Sequence, residues 1–125
     1  MAKILIIDDL ASIRLFLEQV LTKAGHTVRA APDGRQGIAA LRREPFDLVI
    51  TDLYMPESDG LEMLREARTE GLLPRTIAIS SQDSIMDLRP VALHLGATEA
   101  LLKPLDARLL LQTVDRILAP PSATP

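Results

Sequence analysis

The chain of 125 residues contains no cysteine and no tryptophan, and its aromatic residues are limited to Phe16, Phe46 and Tyr54. Without thiols there is neither a disulfide framework nor a thiolate metal site. So few rings leave no platform on which single-stranded nucleic acid could stack. Basic residues are outnumbered, 14 to 17, and the net charge of −3 offers no broad positive field to DNA or to an anionic membrane. No apolar run approaches the length of a membrane span, and the opening "MAKILIIDD" reaches charge too soon for a signal peptide. These absences make a cytoplasmic domain with no direct nucleic-acid or membrane contact the default expectation.

What is present is an aliphatic core. The hydrophobic fraction of 47% comes almost wholly from Leu, Ile, Val and Ala, in a chain long enough to fold as one domain without staples. Two periods alternate along it. Ile4 to Ile7 read as a strand with both faces buried, and Ile13, Phe16, Leu17, Val20, Leu21 and Ala24 follow as a helical stripe stopped by Gly25. Further strands are expected at 26–31, 46–52, 74–80 and 97–103, with helices near 33–44, 59–70 and 106–118. The last of these carries Leu110, Leu111, Val114, Ile117 and Leu118 inward. Pro90 disfavours helix at Arg89, so the fourth helix is expected to start late, near Leu88, or to kink. Residues 119–125, "APPSATP", form a Pro-rich tail outside the domain at 1–118. Five strand–helix repeats imply a doubly wound α/β fold, a parallel sheet in the flavodoxin-like order 2-1-3-4-5 with right-handed connections.

The polar residues gather at the strand ends. Asp8 and Asp9 end the first strand, Asp52 the third, Ser80 the fourth and Lys103 the fifth. Sheets of this kind bind ligands beyond the carboxyl ends of the strands, where the winding switches, here between strands 1 and 3. Three carboxylates converging there repel one another unless a cation joins them, and an all-oxygen donor set suits Mg²⁺. A carboxylate, a hydroxyl and an ammonium beside such a cation can handle a phosphoryl group, with Asp52 as nucleophile. Taken singly, each of these residues has a plainer use. Asp8 and Asp9 could cap the first helix, Asp59 the third, and Lys103 could be a surface ion pair. His26 and His94 have no ligand-spaced partners, and Arg42 and Arg43 read as a solvated face.

The set "IIDD" (6–9), "DLYMPESDG" (52–60), Ser80 after "IAI", "GA" (96–97) and "KP" (103–104) resembles the receiver domain of two-component response regulators. The resemblance implies that Asp52 accepts a phosphoryl group from a histidine kinase or histidine phosphotransfer protein. It implies that Asp9 ligates Mg²⁺ directly, with Asp8 helping through water, Asp52 as a further ligand and the Tyr54 carbonyl as the third protein donor. Ser80 would swing toward the phosphoryl group, Lys103 would pair with it, and Pro104 would follow a cis bond. Tyr54 and Gln82 match positions that control water at the acyl phosphate. The downstream protein target would meet the surface of helix 4, strand 5 and helix 5. Three departures concern output: Ala100 stands where the family usually has an aromatic residue, Ser81 replaces the commoner alanine, and Pro90 disturbs helix 4.

The expectation is therefore a stand-alone, Mg²⁺-dependent phosphoacceptor that switches what it binds, and not a turnover enzyme. Two rivals are weighed against it. A pseudo-receiver would keep the fold as an interaction module. A phosphatase of the haloacid-dehalogenase type would form an aspartyl phosphate, but its nucleophile lies in an Asp-x-Asp motif after strand 1, whereas Asp8 and Asp9 are adjacent.

Overall fold

A computed structural model of the chain describes residues 1–53, 60–81 and 87–119. Within them the elements alternate as β1 (Lys3–Ile7), α1 (Ala11–Lys23), β2 (Thr27–Ala31), α2 (Gly34–Arg43), β3 (Leu48–Asp52), α3 (Gly60–Thr69), β4 (Arg75–Ser80), α4 (Arg89–His94), β5 (Glu99–Leu102) and α5 (Ala107–Leu118). The strands form one parallel sheet in the order β2-β1-β3-β4-β5, the expected flavodoxin-like arrangement.

The strands are aliphatic on both sides because both sides are covered, and alternation divides them. Ile4, Ile6, Leu48, Ile50, Ile77 and Ile79 pack with Leu17 and Leu21 of α1 and Leu110 and Val114 of α5. Leu5, Ile7, Val49 and Ala78 face the other way, toward Ile38 and Leu41 of α2, Met63 and Leu64 of α3, and Ala92 of α4. Burying one such Leu or Ile side chain stabilises the fold by about 1.5–3 kcal/mol.

Several element ends differ from expectation, each for a local reason. Strand 3 starts at Leu48 because the Asp47 carboxylate accepts from the Lys3 N–H at 2.8 Å, a side chain standing in for a ladder rung. Strand 5 is shorter than 97–103 at both ends. At its start the Thr98 hydroxyl accepts from the Thr76 N–H, and at its finish Lys103 lies one residue past the ladder. Ala24, expected inside, is the exposed C-cap of α1, and Gly25 beyond it takes a positive φ of 99°. In α5 Thr113 is fully buried, its hydroxyl bonded to the Leu109 carbonyl, while Leu111 and Leu118 are only partly covered.

The fourth helix starts late, as Pro90 suggested, and has just six residues. Pro90 occupies its first turn, where a missing N–H costs nothing. The Asp87 carboxylate accepts from the Arg89 N–H and from its guanidinium. Arg42 is exposed but not simply solvated, since it forks onto Glu70 at 2.9 and 2.5 Å. His26, with no partner visible in the sequence, accepts the Ala2 N–H on Nδ1 at 3.1 Å.

Candidate functional site

Three backbone bonds carry the parallel ladder one step past the strands and so fix the residues at their ends. The N–H groups of Asp8, Leu53 and Lys103 donate to the carbonyls of Ala31, Ile79 and Ser80 at 3.1, 2.9 and 2.9 Å. Alternation then puts Asp8, Asp52 and Lys103 on the α1/α5 side of the sheet. The backbone of α3 approaches the same point closely: a Cβ on Gly60 would lie 2.2 Å from the Asp52 carbonyl oxygen and 2.8 Å from Leu53 Cα. Close packing, rather than a turn conformation, is what requires glycine there.

Asp8 is almost fully buried at 1% exposure. Its Oδ1 accepts from the Leu10 N–H at 2.9 Å, and its carbonyl accepts from Arg14 Nη1 at 2.7 Å. The Oδ1 bond is a tight local turn; α1 has Leu10 at its N-cap and no side-chain cap, so the capping reading of the aspartates fails. Oδ2 is buried without a hydrogen-bond partner among the described residues, 3.6 Å from Lys103 Nζ. Lys103 Nζ also donates to Asp52 Oδ2 at 2.8 Å, and Asp52 is 3% exposed.

Asp8, Asp9 and Asp52 each offer an oxygen within 4.8 Å of the others, with Asp9 the most open of the three. Burial pushes the Asp8 carboxyl above the usual carboxylate range; the Leu10 amide pulls it back, Asp52 and Asp9 add to the rise, and Lys103 opposes it. Burial lowers the Lys103 ammonium, but the Asp52 hydrogen bond and the charges of Asp52, Asp8 and Asp9 outweigh it and leave it raised. One ammonium against three carboxylates leaves a surplus of negative charge. An unpartnered buried oxygen and an all-oxygen donor set fit a hard divalent cation such as Mg²⁺.

The other expected residues are placed differently. Ser80 is buried, its hydroxyl has no hydrogen-bond partner among the described residues, and alternation assigns it to the α2–α4 side of the sheet. Ala100 lies on that same side, paired in register with Ala78 and half-buried against the cluster around α4. Ser81 and Lys103 line a mostly apolar cleft of about 570 Å³ with Ile13, Phe16, Pro104 and Leu105, and the Lys103–Pro104 bond is cis. Tyr54, Asp59 and Gln82 lie outside the described residues. Arg14 was missed by sequence reasoning; its signal is a basic residue in the first turn of a helix that directly follows an acidic pair.

Residues 4–115 match the family model described as the response regulator receiver domain. The chain is 39% identical over 121 residues to the probable transcriptional regulator ycf27 of Porphyridium aerugineum, covering 91% of this chain and 50% of that protein. It is 36% identical over 110 residues to the transcriptional regulatory protein AfsQ1 of Streptomyces coelicolor, covering 88% and 48%. The chain thus spans about half the length of the curated relatives it matches. Among solved structures, the chemotaxis protein CheY4 of Vibrio cholerae superposes with a TM-score of 0.85 at 32% identity, covering 94% of this chain and 99% of that one. The receiver domain of the Francisella response regulator 1452 gives 0.85 at 25% identity, covering 94% and 96%.

Proposed function

The chain belongs to the response-regulator receiver family, and on that premise we propose that it is a Mg²⁺-dependent phosphoacceptor working as a phosphorylation-controlled interaction switch. A histidine kinase or histidine phosphotransfer protein would be the donor. The observation that carries this reading is Asp52: a buried carboxylate at the end of the central strand, 2.8 Å from the Lys103 ammonium and beside two further carboxylates.

In the transfer, an Asp52 carboxylate oxygen bonds to phosphorus as the donor's P–N bond breaks, and the electron pair leaves with the imidazole. Asp8, Asp9 and Asp52 would hold the cation, whose charge offsets that of the phosphoryl oxygens. Lys103 is already poised to exchange its bond with Asp52 for one with the phosphoryl group. Ser80, buried without a partner among the described residues, has a donor to offer on rotation. With Ala100 in place of an aromatic residue, the output would come from movement of the helix-4 segment, read by a protein target on the surface of α4, β5 and α5. The domain then turns nothing over beyond its own phosphorylation and dephosphorylation.

Whether the switch is stand-alone or feeds an effector in the same polypeptide divides the proposal. The half-length match to relatives named as transcriptional regulators supports the second. Incubation with a small acyl-phosphate donor and Mg²⁺ is expected to add one phosphoryl group by mass, and Asp52→Asn to abolish it. No mass gain in the native protein would favour the pseudo-receiver instead.

A further inference from the structure

We propose that Arg14 is a positioning residue for the acidic cluster: it locks the peptide plane between Asp8 and Asp9 and thereby holds the Asp9 carboxylate where a divalent cation can use it. This rests on the cation-dependent reading above. A peptide unit is rigid, so the Asp8 carbonyl and the Asp9 N–H turn together, and any rotation of that plane swings Asp9. Asp8 itself is pinned twice, its N–H on Ala31 and its Oδ1 under Leu10. The Asp9 side chain makes no hydrogen bond to described residues, so its place depends on its backbone. The side chain that grips this peptide is Arg14, with Nη1 donating to the Asp8 carbonyl at 2.7 Å.

Two further features separate this role from simple helix stability. Arg14 sits near the start of α1, whose first turn has no acidic residue, and a cation there opposes the helix dipole. The guanidinium also takes a carbonyl rather than a carboxylate. It orders the turn through a charge-assisted bond while leaving the negative surplus of the cluster intact.

The test compares the full chain with Arg14→Met and Arg14→Lys by calorimetric titration with magnesium chloride and by metal-free amide exchange. Outer partners of metal ligands typically set affinity by 10–100-fold, so Arg14→Met is expected to raise the Mg²⁺ dissociation constant about tenfold. In the metal-free protein the amides of Asp9 and Leu10 should exchange faster while those of β3 and β4 do not change. Arg14→Lys, which keeps a donor, should recover most of the affinity. An unchanged dissociation constant in Arg14→Met overturns the proposal, as does faster exchange spread evenly over the sheet. If the native protein itself takes up no Mg²⁺, the functional reading fails, and unchanged exchange at Asp9 and Leu10 then overturns the role of Arg14 separately.

Discussion

The sheet is packed unevenly: large side chains make its contact with α1 and α5, and small ones its contact with α4. Against α1 and α5 stand Ile4, Ile6, Ile50, Ile77 and Ile79, each fully buried, met by Leu17, Leu21, Leu110 and Val114. The α4 contact is small: Ala92 is its one buried residue, in one cluster with Ala78, Ala97 and the part-buried Ala100, and the flanking Leu88 and Leu95 are only partly buried. At about 0.8 kcal/mol per buried carbon, α4 is fastened far more weakly than α1 or α5. The strand ends follow the same division. The side under α1 and α5 finishes in Asp8, Asp52 and Lys103, and the side that includes the light α4 contact finishes in Ser80. A fold that must bury carboxylates needs stability beside them, and one that must move needs an element that costs little to release.

The sharpest test of this contrast is a pair of truncations at equal depth. Leu110→Ala should cost about 3 kcal/mol in denaturant melts through lost burial and the cavity left behind. Ala92→Gly, equally buried, should cost about 1 kcal/mol, chiefly through helix propensity. Similar losses for the two variants would break the comparison.

Much of this architecture was legible because the strands are unbroken aliphatic runs and the helices carry a 3.6-residue stripe. The same uniformity hid which helices each side chain meets: Ile4 and Leu5 look alike in sequence yet belong to opposite cores. Strand ends were misplaced where Asp47 and Thr98 supply side-chain bonds in place of backbone rungs, which no periodicity reports. In the site, Asp8, Asp9, Asp52 and Lys103 could be found because charged residues at the ends of apolar strands stand out. Arg14 was harder to see, since its partner is a backbone carbonyl and every residue has one, which leaves its place in the first turn after the acidic pair as the sole sign.

A smaller effect measures what the acidic edge costs the well-packed face. The folded Asp8 carboxyl is raised, first by burial, above its ordinary value of 3.8. A raised acid contributes stability that is fully present below that value and lost as pH rises through the folded one. Above that range the half-satisfied Asp8 is therefore a net cost in metal-free protein. Lys103, also raised, contributes stability that persists until pH climbs past the ordinary lysine range, so it does not alter the neutral region. Asp8→Asn keeps the acceptor for the Leu10 amide and removes the charge. It should stabilise the metal-free protein at pH 7 by about 1 kcal/mol, and the gain should vanish at low pH. Mg²⁺ should stabilise the native protein more than the variant. An equal loss of stability at all pH values would mean that Asp8 serves packing and not charge.

The smallest expected effect concerns how α4 is held. Its C-terminal end is tied across to α3 by Arg68, whose Nη1 donates to the His94 carbonyl at 3.0 Å, and whose stem lies against Gly96. The bonds recorded at its other end, between Asp87 and Arg89, are local and exposed. Such a helix, with alanine beneath it and one side-chain cross-link among the described residues, should open from its N-terminal side and pivot on His94. A net hydrogen bond contributes about 0.5–1.5 kcal/mol, so Arg68→Ala should speed amide exchange at Leu95 to Ala97 by a few-fold, up to about tenfold, and leave β3 untouched. In the native protein, phosphorylation should alter exchange across residues 82–96 more at the N-terminal side than at the pinned end. Unchanged exchange throughout that segment would remove helix 4 as the output element. The same change at both ends would instead mean that Arg68 anchors nothing, and that the light packing against alanine, rather than a pivot, is what lets the helix go.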